Sequence, residues 1–495
     1  MSTMFTWREV DPAPGEPVAP DERLPWGKTV GLGAQHVVAM FGATFVFPLV
    51  MGLDPNLAIM FSGICTILFL LITSNRVPSY LGTSASFVAS VTAIRLVHGG
   101  DSADVTGAIM VAGLVLLAVG VLVHVAGSGI IHTVLPPAVT GAVVMLIGFN
   151  LAPVVAGIYW PQDQWIALLT ATFMVVCAVL LPGFWSRIAV FLALIFGYLV
   201  SWLADLVFGT IHSQVPSVLV DAQGKACFPQ GAYCHYGVLD HHRIVWSGFS
   251  GSVKDSSWIG FPSGTLADGV SKVHAPTFGL TFILLVLPGV IALIAENTGH
   301  VKAVAEMTRT DLDPYMGRAL AADGFATALS SAFGGSPTTT YAENIGVMGA
   351  TKVYSTAAYY VAAIVAILLG LCPKFGALVS ATPGGVLGGI TVILYGMIGL
   401  VGAKIWVENG VDFGNPVNMV GLAGGLIAGI GGVSLTIGSN FSLSGIALGT
   451  IMVIVYFHLV NGRSGRGTGL TTRALSHPDG AGPEHSGHRA EPDRG

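Results

Sequence analysis

Long apolar runs separated by short polar breaks occupy the chain from residue 29 to residue 460. A run of about 17 to 25 such residues is long enough to cross a bilayer core as a helix. The runs that approach or meet this length are 29–50, 57–73, 105–127, 134–153, 165–182, 187–209, 277–300, 354–372, 384–404, 415–434 and 441–460. Three shorter pieces, near 80–95, 319–334 and 340–350, are interrupted by Gly, Ser, Thr and Pro. Together they predict an all-α polytopic membrane protein with about fourteen transmembrane segments. Residues 1–26 carry Pro12, Pro14, Pro17, Pro20 and Pro25 among acids and are expected to be a disordered tail. The Gly-, Arg-, His- and Pro-rich stretch 461–495 is expected to be another, and residues 210–276 form a long polar loop.

Charge placement adds an orientation. With both termini inside, cytoplasmic connections receive Arg76, Arg187, Lys302, Arg309, Arg318, Lys352, Lys404, Arg463 and Arg466, and short outer ones little beyond Arg95 and Lys374. That is the positive-inside asymmetry. The 210–276 loop then lies outside, where Cys227 and Cys234 meet an oxidising compartment and either a disulfide or two free thiols is open. A weak internal repeat is also visible. Pro136-Pro137-Ala138-Val139-Thr140-Gly141 lines up with Pro383-Gly384-Gly385-Val386-Leu387-Gly388, and Tyr80-Leu81-Gly82-Thr83-Ser84 echoes Phe333-Gly334-Gly335-Ser336-Pro337. An odd number of crossings between partners inverts one half against the other, an architecture of secondary transporters.

Composition narrows the class. Of 495 residues 53% are hydrophobic and 9% charged, against about 25% charged in soluble domains. The net charge of −5 suggests no nucleic-acid partner. No phosphate loop, zinc spacing or nucleophile elbow occurs, so the chain is expected to be no enzyme and no ATP-driven pump. Transport would draw on an ion gradient and need no cofactor.

Candidate chemistry lies in ionisable residues within apolar runs. Glu296 sits in Ile294-Ala295-Glu296-Asn297-Thr298-Gly299-His300, and Glu343 in Thr340-Tyr341-Ala342-Glu343-Asn344-Ile345-Gly346. A charged carboxyl at mid-membrane costs about 2.5–3.5 kcal/mol, so such groups usually face a cavity and mark a substrate or proton path. The alternative is a carboxylate at a helix end. It is stronger for Glu296, which Lys302 and Glu306 follow closely, than for Glu343, the sole formal charge between Asp323 and Lys352. Gly334-Gly335-Ser336-Pro337-Thr338-Thr339-Thr340 is a poor helix, and broken backbone at membrane depth survives where it lines a cavity or is buried in protein. His300, four residues after Glu296, shares its helix face and is a candidate for passing protons. Gln35 and His36 complete the polar inventory; for His36 a purely structural hydrogen bond is an equal reading.

At these residues the chain resembles the nucleobase–ascorbate transporter (nucleobase:cation symporter-2) family, in its bacterial uracil permease branch. The matching pieces are Gln35-His36 through Met40-Phe41-Gly42-Ala43-Thr44, Pro78-Ser79-Tyr80-Leu81-Gly82-Thr83-Ser84, Ala295-Glu296-Asn297-Thr298-Gly299-His300, and Thr339-Thr340-Tyr341-Ala342-Glu343-Asn344-Ile345-Gly346-Val347-Met348. The resemblance implies fourteen spans as a 7+7 inverted repeat, with a core domain (about 27–130 and 277–372) and a gate domain (about 131–209 and 373–460). It implies short antiparallel strands in spans 3 and 10, and a homodimer. It makes Glu296 and Glu343 the substrate-binding glutamates and Ala85 and Ala342 positions whose backbone contacts the base. His300 would couple protons with Glu296, while Ala43, Tyr341 and Tyr395 would line the pocket. Two features depart from the family: its usual glycine before the second glutamate is Ala342 here, and the 210–276 loop is longer than expected.

The substrate that fits is uracil or a related pyrimidine base. Uracil offers an imide N–H between two carbonyls and a second N–H. An ionised carboxyl accepts from N–H groups, and a protonated one donates to a carbonyl. The expected activity is proton-coupled import by alternating access across the cytoplasmic membrane. A purine, xanthine or urate permease is the alternative, with a channel or membrane enzyme more distant.

Overall fold

The computed structural model describes residues 6–13, 16–127, 129–182, 184–213, 219–220, 235–236, 240–244, 247–248, 251–437 and 441–464. Cys227 and Cys234 lie outside them, as does the C-terminal stretch from 465. The principal helices are α1 (Trp26–Met51), α2 (Pro55–Ile72), α3 (Val88–His98), α4 (Ser102–Ala126), α5 (Pro137–Phe149), α6 (Gln164–Leu180) and α7 (Ala189–Phe208). After the polar segment 210–276 come α8 (Leu280–Thr308), α9 (Asp313–Ala332), α10 (Ala342–Thr351), α11 (Thr356–Gly370), α12 (Gly384–Glu408), α13 (Pro416–Ile430) and α14 (Gly445–Ser464). Strands β1 (Leu81–Thr83) and β2 (Thr338–Thr340) replace helix at the two predicted interruptions.

Among the described residues six helices are long and apolar enough to cross a membrane, and up to eight spans result if each of two bent helix pairs is one span. Helices lie at the long apolar runs, with shifted ends. α8 runs eight residues beyond the predicted stop at 300, and α9 begins at Asp313 instead of 319. Residues 434–437, at the end of the apolar run that stops at 434, and 441–444, at the start of the next, pair as short antiparallel strands.

Local chemistry sets the boundaries. The Asp54 carboxylate accepts from the Leu57 amide and Pro55 opens α2, so that helix starts where an unbonded amide is capped or absent. Asp101 and Asp104 form a reciprocal cap on α4. Small residues then decide which helices touch. A Cβ at Gly324 in α9 would lie 2.3 Å from the Leu117 amide nitrogen of α4, so backbone meets backbone there, as glycine-bearing membrane helices do.

The packing falls into two groups. α1, α2, α4, α8, α9 and α11 pack around the two strands and α10, while α5, α6, α7, α12, α13 and α14 pack on one another. The groups touch where α8 meets α5 and α14, where α1 meets α7, and where Phe47 stacks on Tyr395 at 6.1 Å.

Two polar segments make specific contacts with the helices. The expected disordered tail 1–26 is docked over its described residues. Arg8–Glu9 pairs in parallel with Glu22–Arg23, Val18 bridges Val353, and the Trp7 indole donates to Thr356 Oγ1 at 2.8 Å. Val353 and Thr356 lie more than 300 residues away, beyond the reach of local composition. Described residues of the polar segment 210–276 are pinned to both groups. Arg243 bonds Asp163 and Asp205 of the second (2.8 and 3.2 Å), whereas Asp268 holds buried Arg95 (3.1 Å) and Lys272 holds Asp54 (2.9 Å) in the first.

Candidate substrate site

β1 and β2 run antiparallel with Thr338 opposite Thr83, Thr339 opposite Gly82 and Thr340 opposite Leu81. Pro337 and Gly334, the latter at φ +87°, break the chain before β2. Gly82 is required at the crossing, because a Cβ there would lie 2.4 Å from the Tyr341 ring. A two-stranded ribbon leaves two edges unpaired, and without water each group must find another partner. Hydroxyls of neighbouring helices fill both. Thr66 accepts from the Leu81 amide (2.9 Å) and Ser62 donates to its carbonyl (2.6 Å). On the other edge Thr327 bonds both the amide and the carbonyl of Thr338 (3.1 and 3.0 Å).

The ribbon delivers the chain into helix at a shared opening. Ala342 and Glu343 begin α10 immediately after buried β2, yet both are exposed, as is Gly346 one turn on. On α8, Glu296 and His300 are half-buried and Gly299 is exposed. A Cβ built on Gly299 or Gly346 meets nothing within 4 Å, so both helices present a glutamate and a glycine three residues apart to open space. Along α8 the exposed stripe continues through Lys302 and Glu306 to Arg309, while residues 285–295 are buried or half-buried. The exposed stripe therefore runs toward the Arg309 end of α8.

Glu296 and Glu343 are electrostatic neighbours, with Asp323 a third carboxyl acting on Glu296. The Ser86 and Thr339 hydroxyls lie beside the Glu296 carboxyl. His300 does not turn to Glu296 as the spacing of four suggests. Its Nδ1 meets Thr340 Oγ1 at 2.7 Å, Thr340 donates to Asn297 Oδ1 at 2.9 Å, and Asn297 Nδ2 donates to Asp323 Oδ2 at 2.7 Å. Asp323 is fully buried in α9. Sequence reading used it only as a boundary of an uncharged stretch; an acid inside an Ala- and Ser-rich run with no nearby base was the available signal.

The other predicted residues fall in different places. Tyr341 is buried as a brace beneath the ribbon, donating to the Thr83 carbonyl at 2.7 Å. Ala85 starts the turn after Ser84 and is half-buried at the ribbon's end. Ala43 is buried in α1, and Tyr395 belongs to α12, stacked on Phe47 with its hydroxyl unpartnered. His36 is structural in its contacts, bonded by the Asn344 amide (3.2 Å at Nδ1) and stacked on Tyr359. Among the described residues no group of three or more His, Cys, Asp or Glu side chains is placed to hold a metal ion.

Comparisons with known proteins agree on the class. Residues 27–438 match the Permease family model Xan_ur_permease. The pyrimidine permease RutG of Escherichia coli strain K12 is 41% identical over 88% of this chain and 90% of its own length. The uracil permease of Bacillus caldolyticus is 32% identical over 88% and 93%, and that of Escherichia coli strain K12 is 32% identical over 88% and 91%. Among solved structures, the membrane domain of the cyanobacterial bicarbonate transporter BicA matches with TM-score 0.53 at 15% identity, covering 87% of this chain and 96% of that one. The murine anion transporter Slc26a9 matches with TM-score 0.58 at 12% identity, covering 88% and 68%; these two likenesses are of fold alone. With a helical membrane fold and matches over nearly its whole length, the chain belongs to the permease family that includes the uracil and pyrimidine permeases.

Proposed function

We propose that the chain imports uracil or a related pyrimidine base with protons, by alternating access, across the cytoplasmic membrane with both termini inside. The observation that carries this reading is the pair Glu296 and Glu343, presented by two helices to one opening at the end of a broken-backbone ribbon. Two carboxyl groups suit a ligand with two N–H groups, and helix-start amides at Ala342 and Glu343 suit its carbonyls. The names of the relatives point to the same substrate class. In this reading the first packing group is the core and the second the gate, arranged as fourteen spans in two inverted sevens, with a homodimer as the working unit. The Arg309 end of α8 then faces the cytoplasm. His300, Asn297 and Asp323, joined through Thr340, provide a route by which a proton can be held apart from the base.

Uptake of radiolabelled uracil in a host lacking its own uracil permease tests the assignment. Unlabelled uracil is expected to compete better than thymine, xanthine or hypoxanthine. Xanthine blocking at lower concentration than uracil would replace the pyrimidine reading with the purine, xanthine or urate one.

A further inference from the structure

We propose that Trp258, Ile259 and Phe261 form a lipid anchor, seated among the headgroups and upper acyl chains of the bilayer at the end where α11 stops. The inference needs the membrane fold and is independent of the substrate. Within the polar segment 210–276 the run Trp258-Ile259-Gly260-Phe261 stands out as apolar. Its three large side chains are 72%, 87% and 57% exposed, while the following Pro262 is buried. Backbone bonds hold this exposed tip in place. The Gly260 amide donates to the Leu371 carbonyl and the Lys374 amide to the Ser257 carbonyl, both at 3.0 Å. A Cβ on Gly260 would lie 3.4 Å from the Pro373 ring, so the turn rests on the chain just beyond α11.

That place decides the partner. Ile364 and Leu368 are exposed on α11, and Leu371 continues their face at helical spacing. An exposed apolar stripe on a membrane helix faces acyl chains, which are as apolar as leucine. The crossing then ends. No formal charge lies between Lys352 and Lys374, and after Gly370 the backbone bends by 80° into the short helix Pro373–Ser380. The tip is therefore fixed at the level where an apolar crossing stops, on the face continuous with lipid. Its residue types suit that level. Indole rings gather at membrane–water interfaces, and three contiguous large apolar side chains are a poor surface to leave in water. Lys374 Nζ lies 5.1 Å from the Trp258 ring centre and 3.4 Å from the Lys254 carbonyl oxygen, as a lysine does when its stem follows apolar surface and its ammonium stays with the headgroups.

Tryptophan fluorescence of the full-length protein in phosphatidylcholine vesicles tests the anchor. The emission of Trp258 is obtained by subtracting the spectrum of Trp258→Phe, which removes the contribution of the other tryptophans. That difference emission should lose most of its intensity with lipid brominated near the headgroup end of the acyl chain, and less with lipid brominated near the methyl end. Aqueous iodide should affect it little. Ile259→Trp placed in the Trp258→Phe protein should restore a component quenched in the same order, which excludes a local folding defect as the cause. Emission untouched by either brominated lipid but quenched by iodide would put the tip in water and overturn the inference. Emission shielded from lipid and iodide alike would put a protein surface over it, such as a second copy of the chain, and overturn it equally.

Discussion

Glu343 differs from other acids of the chain in where its backbone puts it. It stands in the first turn of α10, where unbonded amides and the positive end of the helix dipole gather. Glu343→Ala should therefore abolish uracil binding and not merely slow transport, as read by calorimetry on purified protein; near-native affinity would exclude contact with the base. Sequence made this residue conspicuous because nothing else charged lies near it. Asp323 was obscure for the converse reason. Its partners Asn297 and Thr338 come from other segments, and α9 has too little apolar contrast to show that an acid within it is buried. Tyr341 shows a further limit: a motif position can be read correctly while the direction of its side chain, here into the ribbon and not the opening, depends on the strand register.

At the scale of elements, the ribbon is stable because α2 and α9 lend it hydroxyls. Thr327→Val keeps the shape of the side chain but leaves the Thr338 amide and carbonyl short of a partner in a buried place. The expected cost is about 1–3 kcal/mol, seen as a lower melting temperature in detergent. Thr172→Val, on an exposed face of α6 where the hydroxyl only back-bonds to Leu168, should leave melting nearly unchanged. Equal effects of the two would mean the edge bonds contribute nothing. Most helices were legible in the sequence because a span needs a long apolar run and little else. The two interruptions were legible too, from Gly334, Pro337 and the threonines. The sequence did not reveal that the interruptions become strands paired with each other, since Leu81 and Thr340 lie more than 250 residues apart. Resemblance carried that expectation, and the register bears out the pairing.

At the scale of the molecule, the two helix groups share few contacts, while the polar segment 210–276 is fastened to both of them. The core-side anchor is the firmer. Arg95 and Asp268 are 1% and 4% exposed at their side chains, and Asp268 also accepts from the Ser102 amide at 2.8 Å. Asp268→Ala strands a buried guanidinium and should cost about 3–5 kcal/mol, whereas Lys404→Ala, breaking an exposed pair with Glu408, should cost under about 1 kcal/mol; thermal melts compare them. Movement between the groups is where proton coupling would act. A core whose carboxyls are charged and unoccupied meets a desolvation barrier in passing the gate, while one carrying both proton and base does not. In the proposed mechanism His300, tied through Thr340 and Asn297 to Asp323, would relay that proton. His300→Ala should accordingly keep most uracil binding and most counterflow exchange, which needs no net proton movement, but lose accumulation driven by a pH gradient. Proteoliposomes with an inward proton gradient provide the measurement, repeated with a protonophore. Accumulation that survives collapse of the gradient, or that follows sodium instead, would exclude proton coupling and reduce His300 to a brace for Thr340.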